Sequence, residues 1–285
     1  MLMSEPGKSP AGGVNEERAF DALLDHVRRE RGLDCSQYKN SFLRRRLAVR
    51  MRARGSGTYQ AYLDVLRSDP AEFDALLVAL TINLSYFFRD GAAFDALRYA
   101  VLSPLVAERS QARQLRLTVW SAGCASGEEP YSVAMILTDL LGPTLSRWKV
   151  QIHATDVDAD VLDRAHRGVY RATSFQDLQA DFVARYFAQD GSMYTLQPAI
   201  RHLVTFRQHD LTTPPPLPRY DLILCRNVLI YFAREHQEGI VRHLLGHLEP
   251  SGYLMLGMTE MLPLALAGRL EAVDGRLRIY RKRET

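Results

Sequence analysis

The first third of the chain carries apolar residues at helical spacing. Three apolar helix faces are formed by Phe20, Leu23, Leu24 and Val27, by Tyr59, Tyr62, Leu63 and Leu66, and by Phe73, Leu76, Leu77 and Leu80. Breaks at Gly32, Gly55–Gly57 and Asp69–Pro70 separate them. We therefore predict an all-helical N-terminal domain over residues 16–99, with roughly five helices. A tail over residues 1–15 has no apolar period and is predicted to be disordered.

From residue 115 the pattern changes to short apolar strands that alternate with helices. The predicted strands cover residues 115–121, 149–154, 202–207, 220–225, 252–258 and 276–281, with helices over 130–141 and 233–248. This alternation predicts an α/β fold over residues 115–285, in which helices cover both faces of a mostly parallel sheet. Residues 100–114 are expected to form a linker. Residues 168–200 are longer than an ordinary connection between two such elements. We interpret them as an inserted β-rich subdomain that could bind a partner.

The most informative segment follows the first strand. Residues 121–127 are all small, and Glu128, Glu129 and Pro130 then suit the first turn of a helix. Small residues let the backbone approach a ligand closely, so the unit is typical of a nucleotide-binding site, with a packed tight turn as the alternative. Phosphate-binding patterns such as G-x-G-x-x-G are absent, and the acids favour a cofactor that carries positive charge, such as S-adenosylmethionine.

Polar residues also follow the other strands. They are Asp156 and Asp158 after the second strand, Asp210 and Leu211 after the third, and Arg226 and Asn227 after the fourth. Ligands of parallel sheets bind beyond the carboxyl ends of the strands. One carboxylate can accept hydrogen bonds from both ribose hydroxyls. Asp158 could equally do this, but we favour Asp156 for the ribose and a helix N-cap for Asp158. A plain turn acid is the alternative for each.

Composition narrows the class of protein. Of 285 residues, 47% are hydrophobic and 24% charged, as in globular domains, and the net charge of +3 gives no global argument for a nucleic-acid partner. No apolar run approaches the ~20 residues that span a bilayer, and no secretory signal is evident, so we expect a cytoplasmic monomer without membrane insertion. Three distant cysteines argue against a disulfide framework. His236, His243 and His247 share a helix face without acids or cysteines to complete a set, so no metal site is expected.

Four motifs occur together and in a fixed order. They are T-I-N-L-S-Y-F-F-R-D at 81–90, W-S-A-G-C-A-S-G-E-E-P-Y-S at 120–132, A-T-D-V-D at 154–158 and C-R-N-V-L-I-Y-F at 225–232. This set resembles the CheR-type chemotaxis receptor methyltransferases, over roughly residues 16–282. Residues 248–254, L-E-P-S-G-Y-L, are similar to the turn before the fifth strand in many class I methyltransferases.

The resemblance implies a Rossmann-like class I fold and transfer of methyl from S-adenosylmethionine to glutamate side chains on the cytoplasmic helical region of methyl-accepting chemoreceptors. The products are glutamyl methyl esters and S-adenosylhomocysteine. The implied cofactor-binding residues are Asn83, Ser85, Arg89, Gly123, Glu128, Asp156, Asp210, Leu211, Arg226 and Asn227, the first three from the helical domain, and Glu129 is an alternative to Glu128. The family often has Thr in place of Ser85 and Asn in place of Asp210.

The implied catalytic residues are Arg89 and Tyr231. A glutamate with a pKa near 4.3 is already ionised at neutral pH, so no general base is required. We expect Arg89 to hold the methionine carboxylate of the cofactor and Tyr231 to stand near the methyl and position the target carboxylate. The alternative is that Arg89 pairs locally and Tyr231 is a packed ring.

The second predicted helix is unusually basic. It carries Arg44, Arg45, Arg46, Arg50, Arg52 and Arg54 with no acid among them. A solvated face is the default interpretation of such charge, but we expect a substrate-binding surface for an acidic receptor helix. RNA or DNA is the rival partner, although no aromatic stacking set accompanies the arginines, so no nucleic acid is expected.

Two other functions stay open at this stage. One is an RNA methyltransferase that uses the basic helix, and the other is a non-catalytic signalling module that binds S-adenosylmethionine. The inserted subdomain resembles the family's small β-subdomain, which in some members grips a receptor C-terminal pentapeptide. Its turn at residues 188–192 is short, so we expect methylation to be independent of such a tether.

Overall fold

The computed structural model describes residues 10–81, 84–176, 178, 180–213 and 219–284. The chain divides into two compact units, Met1–Ile82 and Asn83–Thr285. No helix within the described ranges has both the length and the apolar character needed to cross a membrane.

The first unit is helical throughout its described part. Its helices are α1 (Pro10–Arg31), α2 (Asn40–Ala53), α3 (Tyr59–Ser68) and α4 (Pro70–Leu80). The Thr58 hydroxyl accepts from Ala61 N and caps α3, and Asp69 caps α4 ahead of Pro70, so side chains define both starts. Because α1 begins at Pro10, residues 10–15 are helical, whereas the sequence predicted a disordered tail there. Extending an existing helix adds one hydrogen bond per residue without a new nucleation step.

The second unit contains the sheets. Its helices are α5 (Gly91–Ala96), α6 (Ser103–Gln111), α7 (Glu128–Leu141), α8 (Ala159–Arg167), α9 (Ala180–Tyr186), α10 (Pro198–Arg201) and α11 (Arg234–Gly246). Its strands are β1 (Arg116–Ala122), β2 (Lys149–Asp156), β3 (Val169–Arg171), β4 (Phe187–Asp190), β5 (Met193–Leu196), β6 (Val204–Gln208), β7 (Tyr220–Cys225), β8 (Leu248–Leu256), β9 (Leu270–Asp274) and β10 (Ile279–Lys282).

The main sheet has seven strands in the order β6-β2-β1-β7-β8-β10-β9. Neighbours from β6 to β8 pair in parallel, and β10 pairs antiparallel with both β8 and β9. The predicted α/β class with a mostly parallel sheet is confirmed. The sequence analysis missed β9, because its middle residues are exposed and show no alternation of buried and exposed positions. In this order β1 lies between β2 and β7. The chain places β2 and β6 on one side of β1 and then crosses to β7 on the other side, and in sheets of this kind a ligand crevice opens beyond the carboxyl end of the strand where the order reverses.

A small antiparallel sheet, β3-β5-β4, interrupts the order of the main strands. Aromatic side chains of this sheet and of the helical turn Ala172–Phe175 pack on Phe87. The Phe87 ring lies 4.8 Å from that of Tyr170, 5.4 Å from that of Phe175 and 5.1 Å from that of Phe187, measured between centroids. The Phe87 amide also donates to the Ser174 carbonyl at 2.9 Å. The small sheet therefore holds the start of the second unit in place.

Residues 91–111 belong to the second unit, although the sequence placed them partly in the helical domain and partly in a linker. Phe94, Leu97 and Val101 are buried in one core cluster with Leu117 of β1 and Val133 of α7. The boundary therefore lies at residues 82 and 83 rather than at 99. Periodicity shows that a segment is helical, but it does not show which core its apolar face joins.

Candidate cofactor-binding and catalytic site

The loop between β1 and α7 is fixed by the neighbouring strand. The amides of Gly123 and Cys124 both donate to the Thr155 carbonyl, at 2.8 and 2.9 Å. Gly123 has a φ of 81°, and a Cβ atom there would overlap Val228 of the loop after β7. Glycine is thus required at this position, both for the left-handed backbone and for the close approach of two loops.

Glu128 begins α7 as a buried carboxylate surrounded by hydroxyl groups. Ser126 Oγ donates to its two oxygens at 3.0 and 2.8 Å, and Ser174 Oγ lies 3.5 Å from Oε1. The hydroxyl of Ser85, a predicted cofactor residue, also hydrogen-bonds Glu128. Burial raises the pKa of Glu128, and these hydroxyls only partly oppose the shift. The carboxylate is therefore suited to a ligand that brings positive charge.

Glu129 has a different set of partners. Ser121 Oγ donates to its Oε1 at 2.8 Å, and an Arg226 guanidinium nitrogen lies 3.4 Å from its Oε2. Burial raises the pKa of Glu129, with Arg226 opposing the shift. Between the two acids that the sequence left open, Glu129 is engaged by a guanidinium and Glu128 is hydrogen-bonded by neutral groups.

Arg226 ties three segments together. Its side chain is 2% exposed, and a second guanidinium nitrogen donates to Asp90 Oδ2 at 2.8 Å and to the Arg89 carbonyl at 2.9 Å. The sequence predicted a cofactor-binding role for this residue. In the structure its two terminal guanidinium nitrogens are engaged by Glu129, Asp90 and the Arg89 carbonyl, and its Nε is buried without a hydrogen-bond partner among the described residues.

Asp156 ends β2 beside the small-residue loop. Its carboxylate accepts from Ala125 N at 2.9 Å and from Asp158 N at 3.1 Å. Burial raises the pKa of Asp156, while these backbone donors act against the shift. Asp158 accepts from Asp160 N and Val161 N and caps α8, as the sequence predicted.

Arg89 and Ser85 lie in the second unit, whereas the sequence analysis assigned both residues to the N-terminal helical domain. Phe88 and Asp90 have φ values of 55° and 63°, and Ser132 Oγ accepts from Phe88 N at 3.0 Å. Arg89 is half-buried and donates to the Leu84 carbonyl at 2.8 Å. Asn83, the third residue of that prediction, lies outside the described residues.

The loops after β6 and β7 hold the remaining predicted residues. Asp210 accepts from Thr212 N at 2.8 Å, so its carboxylate already closes a turn, and Leu211 is buried beside it. Tyr231 is half-buried at the end of the short helical turn Leu229–Tyr231, and Asn227 has a φ of 60°.

Glu260 is a buried residue of this edge that the sequence analysis missed. It accepts backbone hydrogen bonds from Gly257, Asn227 and Ile230. The only available signal was an acid a few residues after an apolar strand, which also describes many ordinary turn acids.

The buried charge at this edge is unbalanced. Glu128, Glu129 and Glu260 are buried acids and Asp156 is half-buried, while Arg226 is the buried cation among them. In the described ranges no group of three His, Cys, Asp or Glu side chains is arranged to hold a metal ion. The chemistry of this set, carboxylates around a loop without side-chain bulk, fits a cationic cofactor such as S-adenosylmethionine.

The six arginines of α2 are divided in the structure. Arg50 pairs with Glu72 through two nitrogens, at 3.0 and 2.5 Å, and Arg54 pairs with Asp69 at 2.7 Å. Arg44 pairs with Glu17 and lies over the Phe20 ring. These three therefore serve the helical unit itself, which the sequence could not show because their acids lie on other helices.

The remaining three arginines of α2 have no acidic partner within the described part of the chain. Arg45 and Arg52 are exposed, and Arg52 Nε donates to the Ala48 carbonyl at 3.2 Å. Arg46 lies over the Phe42 ring, 5.8 Å from its centroid.

Comparisons with known proteins agree over both units. The CheR methyltransferase all-alpha domain matches residues 18–81, and the CheR methyltransferase SAM binding domain matches residues 83–279. A chemotaxis protein methyltransferase of Salmonella typhimurium is 33% identical over 85% of this chain and 83% of its own length, and that of Escherichia coli is 34% identical over the same shares.

One relative is much longer. An uncharacterized 104.1 kDa protein of Rhodobacter capsulatus is 36% identical over 88% of this chain, which spans 26% of that relative. The matched domains together cover more than half of the chain, and the sheet, the loop after β1 and the acids around it lie inside the SAM-binding match. The chain therefore belongs to the CheR methyltransferase family, and its cofactor is S-adenosylmethionine.

Proposed function

We propose that the protein transfers methyl groups from S-adenosylmethionine to glutamate side chains of methyl-accepting chemoreceptors, giving glutamyl methyl esters and S-adenosylhomocysteine. The observation that supports it most is the cluster of acids around the loop after β1, in which burial raises the pKa of Glu128, Glu129 and Asp156. An excess of buried carboxylates favours a ligand with an amino group and a sulfonium.

The cofactor supplies an activated methyl group, and the residues of this chain orient it. Glu128 binds the amino group, Asp156 accepts from the ribose hydroxyls, and Gly123 admits the cofactor close to the backbone. One guanidinium nitrogen of Arg89 donates to the Leu84 carbonyl, and the guanidinium can bind the methionine carboxylate in the two-pronged geometry that fixes the methyl direction. Asn227 and Leu211 line the adenine side.

The reaction needs no general base on this chain, because the target carboxylate is ionised at neutral pH. Its negative charge meets a positive sulfonium and both disappear as the bond forms, so water stabilises the reactants more than the transition state. Exclusion of water and in-line placement therefore supply the rate. Tyr231 positions the target carboxylate by one hydrogen bond.

The target helix is acidic, and the exposed arginines of α2 match it. Arg45 and Arg52 are the strongest candidates, since Arg44, Arg50 and Arg54 are paired inside the helical unit. This refines the surface that the sequence analysis assigned to all six arginines.

The test is incubation of the full chain with methyl-labelled S-adenosylmethionine and receptor cytoplasmic fragments, followed by mild alkali. Label released as methanol from the receptor protein supports glutamyl ester formation. Alkali-stable label in RNA would select an RNA methyltransferase, and tight cofactor binding without transfer would select a binding module. A matched receptor fragment whose target glutamates are changed to alanine is the control and is expected to take up no label.

The small sheet is proposed to act without a receptor tether. Its turn at Gly191 joins β4 and β5 directly, and the two strands pair from Phe187 with Leu196 to Asp190 with Met193. Deletion of the receptor C-terminal tail is expected to leave the methylation rate unchanged, and a large loss of rate would contradict this.

A further inference from the structure

One buried carboxylate joins the loops that follow β7 and β8. Glu260 lies after β8 and is 3% exposed. Its Oε2 accepts from Gly257 N at 2.6 Å and from Asn227 N at 3.0 Å, and its Oε1 accepts from Ile230 N at 3.3 Å. Amides from two separate loops thus meet on one side chain.

The loop held in this way has a backbone that a free chain rarely adopts. Asn227 has a φ of 60°, a left-handed conformation that costs most non-glycine residues about 1–2 kcal/mol and asparagine less. The two loops are also in close contact, because a Cβ atom on Gly257 would lie 2.7 Å from Asn227 N and 2.7 Å from Glu260 Oε2. The hydrogen bond from Asn227 N to Glu260 offsets part of this cost.

We propose that Glu260 is a positioning residue for methyl transfer. By accepting the amides of the loop after β7, it sets the placement of Asn227 and Tyr231 at the reacting edge without contacting the substrate itself. This inference rests on the proposed function, because Tyr231 has a catalytic role only if transfer occurs there. Burial raises the pKa of Glu260, and the backbone donors oppose the shift, so the carboxylate depends on all of its amide partners.

The first test is Glu260→Gln in the full chain. Glutamine keeps the size but replaces one acceptor oxygen with an NH₂ donor that faces backbone N–H groups. We expect kcat to fall at least ~100-fold, since a displacement of about 1 Å at a reacting centre has that effect. The KM for S-adenosylmethionine is expected to rise less than ~5-fold, because Asn227 is displaced while the other proposed cofactor contacts, the loop after β1 and Asp156, are not touched. Glu271→Gln, an exposed acid on β9, is the matched control and is expected to behave as wild type.

Gly257→Ala tests the same contact from the other side. The added Cβ displaces Glu260 or Asn227, so the same loss of kcat with a small change in KM is expected. The double variant is expected to be no worse than the more severe single variant, because both changes break one interaction. This variant also keeps the inference testable if Glu260→Gln does not fold.

Hydrogen exchange of the amides at 227 and 230 gives a measurement that does not need activity. It is expected to accelerate in Glu260→Gln while exchange in β2 stays unchanged. A kcat within ~3-fold of wild type would overturn the inference, as would a loss of kcat matched by equal losses in melting temperature and S-adenosylhomocysteine affinity. If wild type transfers no methyl, the proposed function fails, and unchanged exchange at 227 and 230 would separately overturn the positioning role.

Discussion

Glu72 in the helical unit and Glu128 in the methyltransferase unit are both 3% exposed, yet Glu128 is enclosed more deeply by protein and the partners of the two carboxyl groups differ. Burial acts to raise the pKa of both. At Glu72, hydrogen bonds from Arg50 and Tyr62 outweigh burial and hold the pKa below its ordinary value. At Glu128, hydroxyl groups do not outweigh it, and the pKa is raised.

The opposite pKa shifts distinguish a carboxylate that stabilises the fold from one that is suited to bind a ligand. Glu72 joins α2, α3 and α4 through Arg50 and Tyr62, and its charge is balanced inside the protein. Among the described residues, Glu128 is hydrogen-bonded by hydroxyl groups and forms no ion pair. A buried acid beside a ligand crevice is therefore better evidence of function when burial raises its pKa than when a charged partner inside the protein lowers it.

The largest effect is expected at Arg89, the cation proposed to face the cofactor. Arg89→Ala is expected to lower methyl transfer by at least ~100-fold, because a two-pronged contact with the methionine carboxylate is lost. The melting temperature should stay near that of wild type, since the described contacts of the side chain, a hydrogen bond to the Leu84 carbonyl and a contact with the Tyr86 ring, are local. Filter-binding of labelled receptor fragments measures the rate, with exposed Arg147→Ala as control. Near-normal transfer would rule the assignment out.

Glu72→Gln should chiefly affect stability. Removing one partner of a buried ion pair leaves Arg50 uncompensated, at an expected loss of about 3 kcal/mol in the free energy of unfolding of the helical unit. Urea denaturation of the full chain, followed by hydrogen exchange in α2 and α4, measures it. Cofactor binding is expected to be unchanged. A loss of S-adenosylhomocysteine affinity alongside the loss of stability would contradict the distinction between Glu72 and Glu128.

The same substitution at Glu128 is expected to have the opposite effect. Glu128→Gln removes a buried carboxyl group whose ionisation burial disfavours, while serine hydroxyls can still bond the amide, so stability without cofactor should be equal or higher. Affinity for S-adenosylmethionine should fall ~10-fold, about 1.4 kcal/mol. Calorimetry with and without cofactor measures both quantities, and a destabilised apo variant would contradict the interpretation.

The two units should also respond oppositely to pH. The raised pKa values of Glu128 and Asp156 mean that their stabilising contribution is complete below the ordinary pKa and is lost as pH rises through the folded pKa. The lowered pKa of Glu72 means that its contribution is present above the ordinary pKa and lost as pH falls through the folded one. Exchange of amides in each unit between pH 4 and 8 tests this, and parallel trends in both units would disprove it.

The smallest effects are expected on the surface of α2. Arg45→Ala and Arg52→Ala should change the free energy of unfolding by less than about 0.5 kcal/mol, since both side chains are exposed. Each should raise the KM for the receptor fragment ~3-fold at low salt, and less at high salt, because the contact is electrostatic. A KM unaffected by both changes would remove this surface from the proposal.

The sequence predicted what depends on neighbours along the chain and missed what depends on distant partners. The strand before Gly123, the start of α7 and the Asp158 cap follow from local patterns. The pairing of Arg226 with Asp90 spans 136 positions, and no local pattern contains it. Periodicity likewise cannot show which core residues 91–111 join, because their packing partners are distant in the sequence.

The three cysteines give the molecule a practical property. Cys35, Cys124 and Cys225 are all buried, and burial raises the pKa of the Cys124 and Cys225 thiols well above the ordinary value. Thiols of this kind react slowly with maleimides and iodoacetamides. A single new cysteine at an exposed position such as Val169 can therefore be labelled with a fluorophore or a spin label in the otherwise native chain. Motion of the small sheet can then be followed without first replacing the three native cysteines.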